Sequence, residues 1–305
     1  MIQVTLRQLR YFDALARHAH FGRAAAACAI SQPALSMQIK ELEDELGAVL
    51  IDRGARQVRL TGFGEDAAQR ARDILRLVDE LGDCARASHG RLAGQLRIGM
   101  IPTTAPYLLP AMIADLTRHQ PGLDVHVREA MTAKLIEELA EGRLDTAIVA
   151  LPVSEPSLTE VPLFTESFLL VRPARDEATP VPSAERLREM RLLLLEEGHC
   201  FRDQALAFCH MQSSPPRELL DASSLSTLVQ MVGAGMGVTL IPEMAVAVET
   251  RLASVSVARF DDPQPSRTIG MIWRRASPLA GQLMQLAEAV RRSAEAVRER
   301  LAPGA

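Results

Sequence analysis

Phe21-Gly22-Arg23-Ala24-Ala25-Ala26-Ala27-Cys28-Ala29-Ile30-Ser31-Gln32-Pro33-Ala34-Leu35-Ser36 is the stretch that decides the architecture. Its four consecutive alanines predict a short helix with a small-residue face, onto which a second helix can close tightly, as two helices joined by a tight turn require. Cys28-Ala29-Ile30 supplies the turn. Ser31 is placed to cap the next helix, and Pro33 fits its first turn, where a missing N–H costs nothing. That helix offers Leu35, Ile39, Leu42 and Leu46 to a core. Its other face begins with Gln32, Ser36 and Gln38, short polar groups suited to base edges and phosphates.

Upstream, Leu6, Leu9, Phe12 and Leu15 recur every third residue with Tyr11 beside them, which marks an amphipathic helix. Downstream, Arg53-Gly54-Ala55-Arg56-Gln57-Val58-Arg59-Leu60-Thr61 reads as a small hairpin whose arginines face a phosphate backbone, as a wing does. Residues 1–62 hold eight Arg/Lys against six Asp/Glu, a local excess of two positive charges in a chain whose net charge is -4. Four of those acids, Glu41, Glu43, Asp44 and Glu45, gather late in the third helix, so its start and the hairpin are locally basic. A small helical bundle with solvated charges is the bland alternative; the order of alanine-rich helix, turn, Ser-Gln-Pro start and basic hairpin speaks against it.

These residues, with Ile39-Lys40-Glu41-Leu42-Glu43 and Leu60-Thr61-Gly62-Phe63-Gly64, resemble the LysR-type transcriptional regulators. The resemblance implies a winged helix-turn-helix over residues 1–62 that binds double-stranded operator DNA, with Gln32, Pro33, Ser36 and Arg53 at the interface. Met37 stands where many members carry a polar or basic side chain. RNA polymerase is a candidate further partner of such a regulator.

The rest of the chain fits that frame. At 305 residues, two or three folded units are expected, and 48% hydrophobic with 24% charged residues is ordinary for a globular protein with a real core. No run approaches the roughly 18 apolar residues of a membrane span, and the N-terminus lacks an apolar signal core. A cytoplasmic location is expected, where Cys28, Cys84, Cys200 and Cys209 would not form permanent disulfides. Ala67, Ala71, Ile74, Val78, Leu81 and Ala85 are spaced as a heptad seam, although a helix packed on its own domain is the bland alternative; the resemblance to the family favours a linker helix over residues 63–89. The family resemblance makes it a dimer contact and points to a dimer of dimers. Ser88 to Gly94 reads as a hinge.

From residue 95 onward, strand patterns at Leu96–Met100, Val125–Arg128, Thr146–Val149, Phe168–Val171, Leu192–Leu195, Val238–Ile241 and Thr268–Trp273 alternate with helix-like stretches near 105–118, 132–141, 224–234 and 278–300. That alternation predicts an α/β domain with mostly parallel strands. The resemblance implies a regulatory domain over 90–305 like a periplasmic binding protein. Its two subdomains would be roughly 95–165 plus 268–302, and 166–267, with a ligand cleft between them. Pro102-Thr103-Thr104 and Thr132 follow strand ends, where such folds bind ligands, although hydroxyls there are also ordinary helix caps. Gly233-Ala234-Gly235-Met236-Gly237-Val238 resembles a Gly-rich turn of the family and is no nucleotide loop.

Gly198-His199-Cys200-Phe201-Arg202-Asp203-Gln204-Ala205-Leu206-Ala207-Phe208-Cys209 holds two of the four cysteines. Two such residues are most often buried apolar side chains. Against that, Cys200 is placed to open a helix, whose dipole favours a thiolate. His199 and Arg202 could add donors or positive charge, while Glu196 and Glu197 oppose it. This motif, together with Ile101-Pro102-Thr103, Pro106-Tyr107-Leu108-Leu109-Pro110 and Arg267-Thr268-Ile269-Gly270, resembles the members of the family that sense hydrogen peroxide. It implies that Cys200 is the peroxide-reacting thiol, that Cys209 resolves it as a disulfide, and that Thr103, Thr132, His199, Asp203 and Arg267 shape the peroxide pocket. Within that reading Asp203 helps protonate the leaving oxygen, Arg267 stabilises the thiolate, and no metal or cofactor is needed. Three other readings stay open. One is a family member that binds a small metabolite in its cleft with incidental cysteines; a second is a thiol peroxidase, for which residues 1–62 would have no use; the third is a binding module with no DNA role.

Overall fold

The computed structural model describes residues 3–52, 58–88, 94–209 and 221–301. The chain divides into two compact units, Met1–Ala85 and Arg86–Ala305. The first is built on helices Leu6–His18, Phe21–Ala27 and Gln32–Leu46, followed by a two-stranded ladder, Ile51–Asp52 antiparallel to Arg59–Leu60. Thr5 and Gln8 form a reciprocal capping box on the first helix. Ser31 caps the third, its oxygen accepting from the Ala34 N–H at 3.3 Å. Phe12, Leu15, Ala24, Ala25, Leu35, Ile39 and Leu42 form the core, so the alanines do allow the close helix approach. Leu6, expected on the buried face, is exposed instead. Gln32, Pro33 and Ser36 are exposed at the start of the third helix, and Met37 beside them is also exposed. Arg53 lies outside the described residues.

Helix Gly62–Ser88 leaves this core and, at 27 residues, is about 40 Å long. Its seam differs from the expected one. Ala68 and Ala71 are buried against the helix-turn-helix core, which is why those positions are small, and Ala67 packs beside them. Beyond Phe63 at its start, the large apolar side chains this helix leaves in solvent are Ile74 (44% exposed), Leu77 (58%) and Leu81 (72%). Their spacing of three and four makes a heptad stripe through Leu77, a residue absent from the expected seam.

The second unit is organised around two strands, Leu158–Pro173 and Ser266–Arg274, which pair antiparallel over nine positions. On one side the sheet continues through Thr146–Leu151, Gly94–Met100 and Leu123–Glu129. Gly94–Met100 is parallel to both of its neighbours, with helices Ala105–His119 and Thr132–Ala140 in the connections. The far half of Leu158–Pro173 pairs antiparallel with Thr239–Pro242 and with Val255–Ala258 in a second subdomain, which also holds the short parallel pair Leu194–Leu195 and Asp221–Ala222. The expectation of mostly parallel strands is therefore corrected. Parallel pairing is confined to the strands joined by helical crossovers, and the strands running between subdomains pair antiparallel. Helix Ala280–Leu301 returns to pack on helix Ala105–His119.

Gly270 marks a constraint in the central ladder. Register slips between Ile269 and Gly270, where the partner strand carries Pro162 and its missing N–H. A Cβ at Gly270 would stand 2.2 Å from Leu151 Cδ1 and 3.0 Å from the Val161 carbonyl oxygen, so the close approach needs glycine.

Candidate functional site

The parallel strands of the first subdomain deliver their carboxyl ends to one edge. Gly94–Met100 runs into Thr103 and Thr104, both buried, and Leu123–Glu129 runs into Met131 and Thr132. In the second subdomain, Leu194–Leu195 runs into Gly198, His199 and Cys200. Gly198 has φ +94°, a left-handed conformation that favours glycine, and it turns the chain into helix Cys200–Phe208.

Cys200 is half-buried as the first residue of that helix, with His199 as its N-cap. Cys209, fully buried, is the C-cap of the same helix. Both are free thiols. Burial pushes the Cys209 thiol up to about 11, with Arg188 working weakly against the shift. His199 is held below its ordinary value by burial, opposed by Glu196, so the imidazole next to Cys200 is neutral at neutral pH and cannot supply positive charge. Nor does Arg202 supply it, because that buried side chain donates to the Leu195 carbonyl and to Asp221, both at 2.7 Å. Asp203 is in the first turn and faces solvent.

Arg267 is the centre of the buried polar structure. Its Nε donates to Glu166 at 2.9 Å, its Nη1 to Thr103 Oγ1 at 2.7 Å, and its Nη2 to the Thr103 carbonyl at 2.9 Å and to Thr104 Oγ1 at 3.3 Å. Its guanidinium carbon lies 5.5 Å from the centre of the Phe201 ring, which stacks edge-on with Phe168 at 4.9 Å. Glu166 completes the pair and also accepts from the Met244 N–H at 3.3 Å. Arg267 is thus matched by a carboxylate and spends its donors on the turn that carries Thr103. It reaches the cysteine helix through the ring of Phe201.

Thr103, Arg267 and Phe201 are therefore in one contact network. Met131 and Gly198 meet, because a Cβ at Gly198 would stand 2.6 Å from Met131 Sδ. The Thr132 hydroxyl and the Gln204 side-chain carbonyl oxygen are buried without a hydrogen-bond partner, each with hydrogen-bonding capacity to spare. Several participants escaped the sequence reading. Glu166 could have been suspected as a lone acid in an apolar strand; Gln204 follows Cys200 by one helical turn. A third hidden feature joins the subdomains: Tyr107 donates to Glu249 at 2.7 Å, and Ser226 donates to the other oxygen of that carboxylate at 2.6 Å. Burial and the Glu249 carboxylate raise the Tyr107 hydroxyl well above its usual range. Cys28 and Cys84 both belong to the other unit; burial, then Asp13, raises the Cys28 thiol. Among the described residues no group of three or more His, Cys, Asp or Glu side chains is placed to hold a metal, and no helix is long and apolar enough to cross a membrane.

Comparison with known proteins agrees with both units. The family model for the bacterial regulatory helix-turn-helix protein of the LysR family matches residues 6–65, and the model for the LysR substrate binding domain matches residues 89–295. The DNA-binding transcriptional dual regulator OxyR of Escherichia coli K12 is 43% identical over 294 residues, 94% of this chain and 95% of the relative. A hydrogen peroxide-inducible genes activator of Dickeya chrysanthemi is 42% identical over 303 residues, covering 98% of both chains. Among solved structures, a cysteine-to-serine variant of the Corynebacterium glutamicum OxyR with hydrogen peroxide bound aligns with a TM-score of 0.69 at 35% identity, over 98% of this chain and 95% of that one. A helix-turn-helix unit followed by a two-subdomain α/β unit, matched along nearly its whole length, places this chain in the LysR family of transcriptional regulators, among its OxyR-like members.

Proposed function

We propose that the chain is a cytoplasmic regulator that binds double-stranded operator DNA through residues 1–62 and senses hydrogen peroxide at Cys200. One observation carries the reading. Cys200 opens a helix at the junction of the two subdomains, and the second thiol, Cys209, closes the same helix, buried and out of bonding reach. The peroxide-bound relative and the activators among its kin support it. In the first step a Cys200 thiolate attacks one peroxide oxygen, the O–O bond breaks, sulfur is oxidised to a sulfenic acid, and hydroxide leaves and takes up a proton. In the second, the Cys209 sulfur attacks the sulfenic sulfur, forming the disulfide and releasing water. Two thiols are oxidised and one peroxide is reduced to two waters. Thr103, Thr132 and Gln204 orient the peroxide, with neutral His199 as a further hydrogen-bonding partner. Asp203 passes a proton from solvent to the leaving oxygen. Arg267 acts by fixing Thr103.

On the DNA side, Gln32, Pro33 and Ser36 enter the groove from the exposed start of their helix, and Arg53 contacts phosphate. DNase footprinting of the full chain with and without peroxide tests the whole reading, the expected result being a footprint whose extent changes on oxidation. Arg53→Ala is expected to weaken binding to all sequences and lower the salt slope by about one, whereas Gln32→Ala and Ser36→Ala change sequence preference. A footprint unaltered by peroxide sinks the sensor; operator affinity unmoved in all three variants sinks the DNA assignment. A cleft ligand other than peroxide would then account for the fold.

Assembly follows from the long helix. The Ile74, Leu77 and Leu81 stripe serves as the contact with a second copy, so that two DNA-binding units meet a two-fold operator, and pairs of such dimers make the tetramer. Leu77→Asp with Leu81→Asp should shift the sedimenting species to a smaller one and cost operator affinity through lost bivalency. An unchanged sedimentation coefficient would move the dimer contact elsewhere. RNA polymerase is the further partner expected of an activator.

A further inference from the structure

We infer that Met131 is a specificity-determining residue for the peroxide reaction, a thioether gate that closes the cleft beside Cys200 and admits only the smallest peroxides. The inference rests on Cys200 being the peroxide-reactive thiol and adds what limits access to it. Met131 comes from the first subdomain, at the end of strand Leu123–Glu129, and Gly198 from the second, two residues before Cys200. The two meet so closely that a Cβ on Gly198 would fall 2.6 Å from the Met131 sulfur and 3.7 Å from its methyl carbon. Gly198 is exposed and Met131 half-buried, whereas His199 and the Thr132 hydroxyl, each next in sequence to one of them, are buried. The contact therefore sits where exposed chain adjoins buried polar groups. The Thr132 hydroxyl, next in sequence to the gate, has no partner and awaits a small hydrogen-bonding guest.

The chemistry of the gate suits this position. Methionine is unbranched, with rotatable bonds and a polarisable sulfur, so it can yield to a molecule of two oxygen atoms and still seal against a bulky one. The thioether does not enter the thiol chemistry. Its contribution is steric, and it shows as a ratio of rate constants between competing substrates.

The test measures second-order rate constants for Cys200 oxidation in the full chain, read by mass spectrometry after dimedone trapping, with hydrogen peroxide and with tert-butyl hydroperoxide. Met131→Ala should raise the tert-butyl hydroperoxide rate at least tenfold while the hydrogen peroxide rate changes less than threefold. Met131→Leu, similar in bulk and lacking sulfur, should keep the wild-type ratio. If Met131→Ala leaves the ratio within twofold of wild type, or if Met131→Leu loses the discrimination too, the gate is overturned. Failure of wild-type Cys200 to react with either peroxide overturns the underlying sensor reading instead.

Discussion

Full-length protein carrying Cys200→Ser is expected to be inert to low peroxide, and Cys209→Ser to stop at the sulfenic acid or over-oxidise. The reason for two separable steps is geometric. Nine residue steps along a helix, each about 1.5 Å, put the two cysteines roughly 13 Å apart. A disulfide needs Cα atoms within about 7 Å. Helix Cys200–Phe208 must therefore unwind before the bond can close, and its aromatic anchors must let go, Phe201 from Phe168 and Phe208 from Phe260, whose ring centres are 5.1 Å apart. Burial adds a second barrier, because a thiol with its pKa pushed up to about 11 offers almost no thiolate at neutral pH.

The pH profile of disulfide closure separates the two barriers. Were Cys209 to react from its buried position, closure would quicken with each unit of pH until about 11. Where the helix opens first, the thiol regains a pKa near its ordinary value of about 8.5, and the rate levels off there. The second profile is expected, accompanied by faster hydrogen exchange over residues 200–208 in the oxidised protein. Peptide mapping after brief peroxide exposure decides the chemistry. If the first modified thiol is Cys28 or Cys84, or if DNA contacts change with no linkage of residues 200 and 209, the switch does not work this way.

What the sequence made legible follows from what its local patterns encode. Ser31, Pro33 and the Leu35, Ile39, Leu42 period fix a helix start and face through interactions within a few residues, and those readings match the structure. Gly198 before His199-Cys200 marked a helix start in the same way. Strand orientation is different. Nothing in the Phe168–Val171 pattern states which neighbour it will find, and the whole strand, Leu158–Pro173, was obscured by Pro162 and by Glu166. The heptad pattern in helix Gly62–Ser88 was real, yet it could not say that Ala68 and Ala71 would be used up by the helix-turn-helix core, which moves the free stripe to Ile74, Leu77 and Leu81. Met131 against Gly198 is likewise a contact between subdomains, invisible until both strand ends are placed.

The partnership of Glu166 and Arg267, 101 residues apart, is the long-range feature with the largest expected stability effect. They face each other across the antiparallel ladder, and both side chains are almost completely buried. Arg267→Ala strands the Glu166 carboxylate in the interior and frees the turn holding Thr103 and Thr104. Breaking one side of a buried pair destabilises by roughly 3–5 kcal/mol. Because the damage comes from the orphaned charge, Arg267→Ala with Glu166→Gln should recover part of the loss, a coupling that two independent sites would not show. Trp273 lies on the same strand as Arg267 and is buried, so its fluorescence during urea unfolding reports this ladder directly. The variant should also respond weakly to peroxide even where it remains folded, since Thr103 is no longer held. A loss under about 1 kcal/mol for Arg267→Ala, well below the buried-pair range, would show that Glu166 finds another partner. A double variant as unstable as the sum of its singles would show that the pair is not coupled, and the organising role of Arg267 would pass to the packing of Phe201.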